Sequence, residues 1–196
     1  MNEPEYHLDP RLAGEVARYH TWPHIKVQTV AAHSWHVIRI LLAIWPEVPR
    51  HVIVEAIFHD VGEGFAGDSP FYAKRANPGL KTILDKMEND ARLGMALPWG
   101  VVAPQALSDE EYKVLKVADL IEMWEHALHE IELGNVYGYK VRDNIDGALF
   151  GIGNQLPLPI FENVIRYQAK RLGAHSKRMT HARQIPLSQL PPDSGE

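Results

Sequence analysis

The chain has 196 residues, 45% of them hydrophobic and 23% charged, which is enough apolar material for a real core and argues against disorder. Its formal net charge of -5 speaks against a nucleic-acid binder, which carries a basic excess, but leaves small anionic substrates open, because a local basic cluster can sit on an acidic protein. The absence of cysteine excludes disulfides, zinc–thiolate sites and thiol nucleophiles; no apolar run reaches the ~20 residues of a membrane span, and the polar start "MNEPEYHLDPR" does not read as a signal peptide, so a cytoplasmic location is expected.

Apolar residues recur at three- and four-residue spacing almost throughout, and no alternating stretch of useful length predicts a strand. A first helix is expected from Pro10 to His20. "TWPHIKVQ" then reads as a loop, since Pro23 disfavours helix at Trp22. A second helix is expected from Val30 to Trp45, with Ile38, Leu41, Leu42 and Trp45 on its apolar face and Pro46 and Pro49 as punctuation. A third spans Arg50 to Val61, after which Gly62, Gly64 and Gly67 loosen the backbone. "GDSPFYAKRANPG" reads as an ordered loop with a short helical piece, a kind of connection that often carries function.

A fourth helix starts at Pro78, a good first-turn residue, and runs to Met95. The clearest start signal is "SDEE", where Ser108 can cap and Glu111 can reach back; that helix continues to Leu133 and stops at Gly134. Two more are expected at Val136–Gly151 and Pro159–Leu172, the second ended by Gly173. The sum is an all-α, single-domain bundle of about seven helices over residues 1–175, followed by a loosely ordered tail over 176–196.

The stretch "AIFHDVGEG" ends an apolar helix on two good metal ligands, His59 and Asp60. Partners are available elsewhere. "AAHSWHVI" places His33 near the start of the second helix, and "KVADLIEMW" places Asp119 among Val117, Ala118, Leu120 and Ile121, where an unpaired carboxylate is costly. Two imidazoles and two carboxylates from three helices suit Mn²⁺, Fe²⁺, Co²⁺ or Zn²⁺, and less well Mg²⁺ or Ca²⁺. Two further coordination places would then remain for water or substrate oxygens, as metal-assisted hydrolysis requires. Lys116 precedes Asp119 by three residues and shares its helix face. The other histidines, His36, His126 and His129 among them, read as packing or surface groups.

The order His33…His59-Asp60…Asp119 resembles the signature of the HD-domain metal-dependent phosphohydrolases. The flanks "RYHTWP", "AAHSWHV", "HDVGEGFAGDSPFYAK" and "LKVADLIEMWE" extend the resemblance, over roughly residues 10–175, to the short 5′-deoxynucleotidase-like family. They look still more like its phage-encoded relatives, which include dATP triphosphohydrolases.

The resemblance implies an HD-type helical bundle holding one divalent metal (Co²⁺, Mn²⁺, Zn²⁺ or Mg²⁺) on His33, His59, Asp60 and Asp119. It implies catalytic roles for Glu63 and Asp68, phosphate contacts for Lys74 and Lys116, and a nucleoside wall at Trp22. Arg18, Arg75 and Lys81 are weaker phosphate candidates. The bacterial deoxynucleotidases carry an arginine before that tryptophan, where this chain has Thr21; Arg18 is the available substitute. The departure favours a dATP or dNTP triphosphohydrolase, giving deoxynucleoside and triphosphate, over a 5′-deoxynucleotidase acting on dNMP; a catalytically inactive HD binding module is the remaining alternative. A deoxynucleotide is then the expected partner, with neither nucleic acid nor membrane. The resemblance further implies a homo-oligomer, dimer or larger, and the host cytoplasm if the gene is a phage's.

Overall fold

The computed structural model describes residues 9–67, 76–96 and 106–183. Among these the chain runs α1 (Pro10–Gly14), β1 (Ala17–Arg18), β2 (Gln28–Thr29), α2 (Val30–Ile44), α3 (Arg50–Phe58), α4 (Glu63–Ala66), α5 (Pro78–Ala96), α6 (Asp109–Glu132), α7 (Tyr137–Gly153) and α8 (Leu158–Arg183). The all-α expectation holds. The β structure among the described residues is one antiparallel ribbon, with Ala17 opposite Thr29 and Arg18 opposite Gln28.

Helix α6 organises the molecule. Its start is the expected capping box: the Glu111 N–H donates to Ser108 Oγ at 3.2 Å and the Ser108 N–H donates to Glu111 Oε2 at 2.8 Å. Val114, Val117, Ala118, Ile121, Trp124 and Leu128 along it are all buried. A helix buried on so many sides must be surrounded, and α2, α3, α7 and α8 all pack against it. Val37, Ile40, Leu41 and Ile44 of α2 are wholly buried in the same core, each contributing about 1.5–3 kcal/mol.

Four carboxylates are buried on α6 as well: Asp119, Glu122, Glu125 and Glu130. A buried carboxylate is tolerable only when donors meet it. Glu125 is met by Arg39, Arg171 and the Tyr167 hydroxyl, the last at 2.7 Å. Glu130 accepts the backbone N–H groups of Ile25 and Lys26 at 2.7 and 2.9 Å, tying the loop that precedes β2 to the central helix. Asp119 and Glu122 point to the site described below.

Two helix ends and one helix face differ from expectation here. The first helix ends at Gly14, not His20, because the Val30 N–H donates to the Val16 carbonyl at 3.0 Å and draws residues 16–18 into the ribbon. The buried face of α2 is turned relative to the expected one: Leu41 is inside, Ile38 and Trp45 pack at the margin, and Leu42 is 45% exposed. The true stripe is Val30, His33, Ser34, Val37, Ile40, Leu41 and Ile44. Finally, Gly173 does not end the last helix. It continues to Arg183, its later turns held by His175 and Arg178, both bonded to Glu132 at 2.7 Å.

Candidate metal centre and substrate cleft

Helix α3 stops at Phe58, earlier than its apolar pattern suggests, and His59 is its C-cap. The chain then makes tight turns: the Val61 N–H bonds the Phe58 carbonyl at 3.2 Å, Glu63 bonds Asp60 at 3.0 Å and Gly64 bonds Val61 at 3.0 Å. Successive side chains on a continuous helix diverge by about 100°. Here the early unwinding lets two neighbours converge, with His59 Nε2 3.4 Å from Asp60 Oδ2. Gly62 and Gly64 allow the turn to be gripped. A Cβ at Gly62 would overlap the Glu88 backbone of α5, and one at Gly64 would overlap Ala13 of α1.

His33, from the first turn of α2, is fully buried and faces the same point. Its Nε2 lies 3.2 Å from His59 Nε2, 3.3 Å from Asp60 Oδ2 and 3.4 Å from Asp119 Oδ1. The ligating atoms of His33, His59 and Asp60 all lie within 4.8 Å of one another, so these three form a group able to hold a metal ion. Asp119 adjoins it from the middle of α6.

The donor chemistry fits a cation. The His59 Nδ1–H has the Ala56 carbonyl as acceptor at 2.8 Å, and the His33 Nδ1–H has Glu122 Oε2 at 2.6 Å. Both rings therefore turn their Nε2 lone pairs inward, toward two carboxylates. That arrangement needs a positive charge at its centre, as a proton or as a metal ion. The raised pKa of His33 reflects the demand: burial and Arg18 push it down, but hydrogen bonds to Asp119, Asp60 and Glu122 outweigh them. Asp60 is held well below the usual carboxylate range, because His59, Arg18 and His33 overcome its burial. Lys116 and His33 do the same for Asp119.

Two cations flank the group. Arg18, buried at the end of β1, places its guanidinium on Asp60 Oδ2. Lys116 bonds Asp119 Oδ2 from one turn earlier on α6. Beside His59, Asp60 and Asp119 opens a cleft of about 300 Å³, lined further by Lys116, Arg92 and Tyr112. Glu63 is buried at the start of α4, and its charge is among those raising the Arg18 pKa.

The structure thus brings together His33, His59, Asp60, Asp119, Lys116 and Arg18 of the expected residues. Trp22 is half-buried in the loop between the strands, its N–H on the Tyr19 carbonyl and its own carbonyl bonded to the His24 ring at 2.9 Å. Lys81 is an exposed surface charge paired with Asp85. Asp68, Lys74 and Arg75 lie outside the described residues.

Three residues at the site escaped the sequence reading. Glu122 holds His33; its signal was the three-residue step from Asp119, which places both on one helix face. Gln28 donates to Glu122 Oε1 at 2.6 Å and had no local signal. Tyr19, directly after Arg18, has φ 60°, unlike every other non-glycine residue among those described, and stacks on His126 with ring centroids 4.9 Å apart. A left-handed residue of this kind costs about 1–3 kcal/mol and is held by its surroundings. Here it turns the chain out of β1 just after Arg18.

Comparison with known proteins gives a consistent family. The 5′-deoxynucleotidase YfbR-like family profile matches residues 14–155. A curated relative, the 5′-deoxynucleotidase PM0747 of Pasteurella multocida (strain Pm70), is 35% identical over 96 residues, 44% of this chain. The match spans 49% of that relative, about half its length. Among solved structures, the cyanophage S-2L HD phosphohydrolase DatZ, bound to dA and one catalytic Zn²⁺, aligns with a TM-score of 0.60 at 17% identity, over 90% of this chain and 98% of that one. An HD-domain phosphohydrolase of Listeria innocua aligns with a TM-score of 0.65 at 16% identity, over 90% and 96% of the two chains. These likenesses establish the fold. With the profile covering well over half of its residues, the chain belongs to the 5′-deoxynucleotidase YfbR-like family and has the fold of the HD-domain phosphohydrolases.

Proposed function

We propose that this protein is a metal-dependent phosphohydrolase that cuts the ester bond between the α-phosphate and the 5′-oxygen of a deoxynucleotide, releasing the deoxynucleoside. The observation that carries the reading is the convergence of His33 and His59 Nε2 with Asp60 Oδ2 between two flanking cations. His33, His59, Asp60 and Asp119 are the residues assigned to hold a divalent ion, of which the zinc in DatZ is one precedent. When bound, such an ion supplies Lewis-acid polarisation of a phosphoryl oxygen and lowers the pKa of a water.

The chain's own groups supply the rest. Arg18 and Lys116 stand on the two carboxylates nearest the cleft, where their remaining N–H donors can take phosphate oxygens. Glu63, buried beside Arg18, is assigned to orient the attacking water and carry its proton. Asp68 is the second carboxylate assigned to catalysis, and Lys74 a further phosphate contact.

The favoured substrate is a deoxynucleoside triphosphate such as dATP, on the resemblance to phage-encoded enzymes. A second reading is favoured by a specific observation. Arg18 sits on Asp60, which supports reading it as the substitute for the cation that Thr21 does not provide. That restores the dNMP-hydrolysing reading, which also agrees with the names of the matching family and of the Pasteurella relative. Incubation of the metal-loaded protein with dNMPs, dNTPs and ribonucleotides, with the released anion identified, tests both. Triphosphate from dNTP supports the first and phosphate from dNMP the second. Pyrophosphate from dNTP would overturn the scissile bond common to both.

A further inference from the structure

Glu122 and Gln28 form a buried pair that the chemistry proposed above does not use. Glu122 is 2% exposed and Gln28 7%. Glu122 Oε2 takes the His33 Nδ1–H at 2.6 Å, and its Oε1 takes the Gln28 side-chain amide, also at 2.6 Å. Gln28 is the cross-strand neighbour of Arg18. One rung of the ribbon therefore grips the centre from two sides. Arg18 reaches Asp60 within the ligand group, while Gln28 reaches the carboxylate behind His33.

We propose that Glu122 is a positioning residue for the cation centre and that Gln28 is the clamp that holds it there. A neutral imidazole has two tautomers and two ring orientations. A carboxylate on Nδ1 selects the one form that turns an Nε2 lone pair toward His59 and Asp60, and it makes that nitrogen a stronger donor. Gln28 fixes the rotamer of Glu122, which would otherwise be free to swing its carboxylate along the α2–α6 interface.

Packing alone gives no reason for a carboxylate at this place. Val37, Ile40 and Leu41 already join α2 to the core that α6 supplies with Ile121 and Trp124. A neutral or apolar residue of similar size would bury there with less desolvation. What an ionised group adds is its effect on the imidazole it touches. The backbone carbonyl that serves His59 orients a ring but carries no charge.

This inference rests on His33 being a metal ligand, and its test separates the two claims. Co²⁺ binding to the metal-stripped protein is followed by calorimetry and by the visible spectrum of the bound ion, for wild type, Glu122→Gln, Gln28→Ala and the double variant, alongside melting of the stripped proteins. The expected result is a loss of Co²⁺ affinity of about 10- to 100-fold in Glu122→Gln, with an altered spectrum and little change in melting. Gln28→Ala is expected to show a smaller loss in the same direction, absent when Glu122 is already Gln. If Glu122→Gln does not fold, Gln28→Ala decides, since Glu122 is intact there. Wild-type affinity and an unchanged spectrum in the folded variants would overturn the positioning role while leaving the metal site standing. Failure of the wild type to bind Co²⁺ would overturn both.

Discussion

Removing the carboxylate of Glu130 probes how firmly the loop before β2 is held, and the structure sets the size of the effect. Its two oxygens accept the Ile25 N–H at 2.7 Å, the Lys26 N–H at 2.9 Å and the Asn135 side-chain amide at 2.7 Å. Asn135 in turn donates to the Pro23 carbonyl at 2.8 Å, closing the loop on itself. Hydrogen bonds to a charged acceptor are worth roughly 1.5–3 kcal/mol each, but Ile25 and Lys26 are exposed and water can replace part of what their amides lose, so Glu130→Ala should cost about 2–4 kcal/mol. At about 2–4 °C per kcal/mol for a chain of this size, the melting temperature should fall by about 4–16 °C.

The pH dependence has a definite sign. Burial pushes the Glu130 carboxyl up, but the bonds from Asn135, Ile25 and Lys26 outweigh it and the pKa lies below its ordinary value of 4.5. Its stabilisation is complete above that value and is lost as pH falls through the depressed one. The gap in melting temperature between wild type and Glu130→Gln should therefore be full at neutral pH and narrow in acid below about pH 4.5. Thermal melting across that range is the assay. A Glu130→Ala protein that melts within about 1 °C of wild type at neutral pH would refute the reasoning.

Other expectations follow from the same geometry. Adding Co²⁺ or Zn²⁺ to chelator-treated protein at about 100 times its dissociation constant should stabilise by about 2.7 kcal/mol, read as a rise of about 5–11 °C in melting temperature, and Asp60→Asn should abolish the rise. Leu41→Ala should destabilise by about 2–5 kcal/mol in chemical denaturation, while Leu42→Ala, on the exposed side of the same helix, should stay within about 0.5 kcal/mol; equal effects would reject the orientation of α2. Gly62→Ala should destabilise by about 1–3 kcal/mol and lower kcat, because the new methyl meets the Glu88 backbone and must push α5 away from the His59-Asp60 turn; normal melting and kcat would show that the contact is slack.

The helices, and which of them carry the four residues that converge, were legible in the sequence because each signal was local. Ser108 and Glu111 announce α6 three residues apart, and the apolar neighbours of Asp119 mark a carboxylate that must have a partner. What stayed hidden depended on contacts between distant segments. The ribbon of Ala17–Arg18 with Gln28–Thr29 has two residues per strand, too short for any alternation to register. Arg18 therefore read only as a weaker phosphate candidate beside Arg75 and Lys81, with no sign that the ribbon buries it on Asp60. The face of α2 was misjudged because Ile38 and Leu42 are as apolar as Val37 and Ile40; only the need to bring His33 inside breaks the tie. Gly173 looked like a helix stop, and nothing local reveals that Glu132 holds the turns beyond it.

Arg18 and Lys116 act on a bound cation and on a substrate with opposite sign. Each stands on a carboxylate of the converging group, Arg18 on Asp60 and Lys116 on Asp119. A fixed positive charge there weakens the pull of the carboxylate on a metal ion and strengthens the pull of the site on an incoming phosphate. Replacing either by a neutral residue should therefore tighten Co²⁺ binding and weaken phosphate binding. The two effects are separable: calorimetry with Co²⁺ alone reads the first, whereas the KM for the nucleotide stays raised at saturating metal.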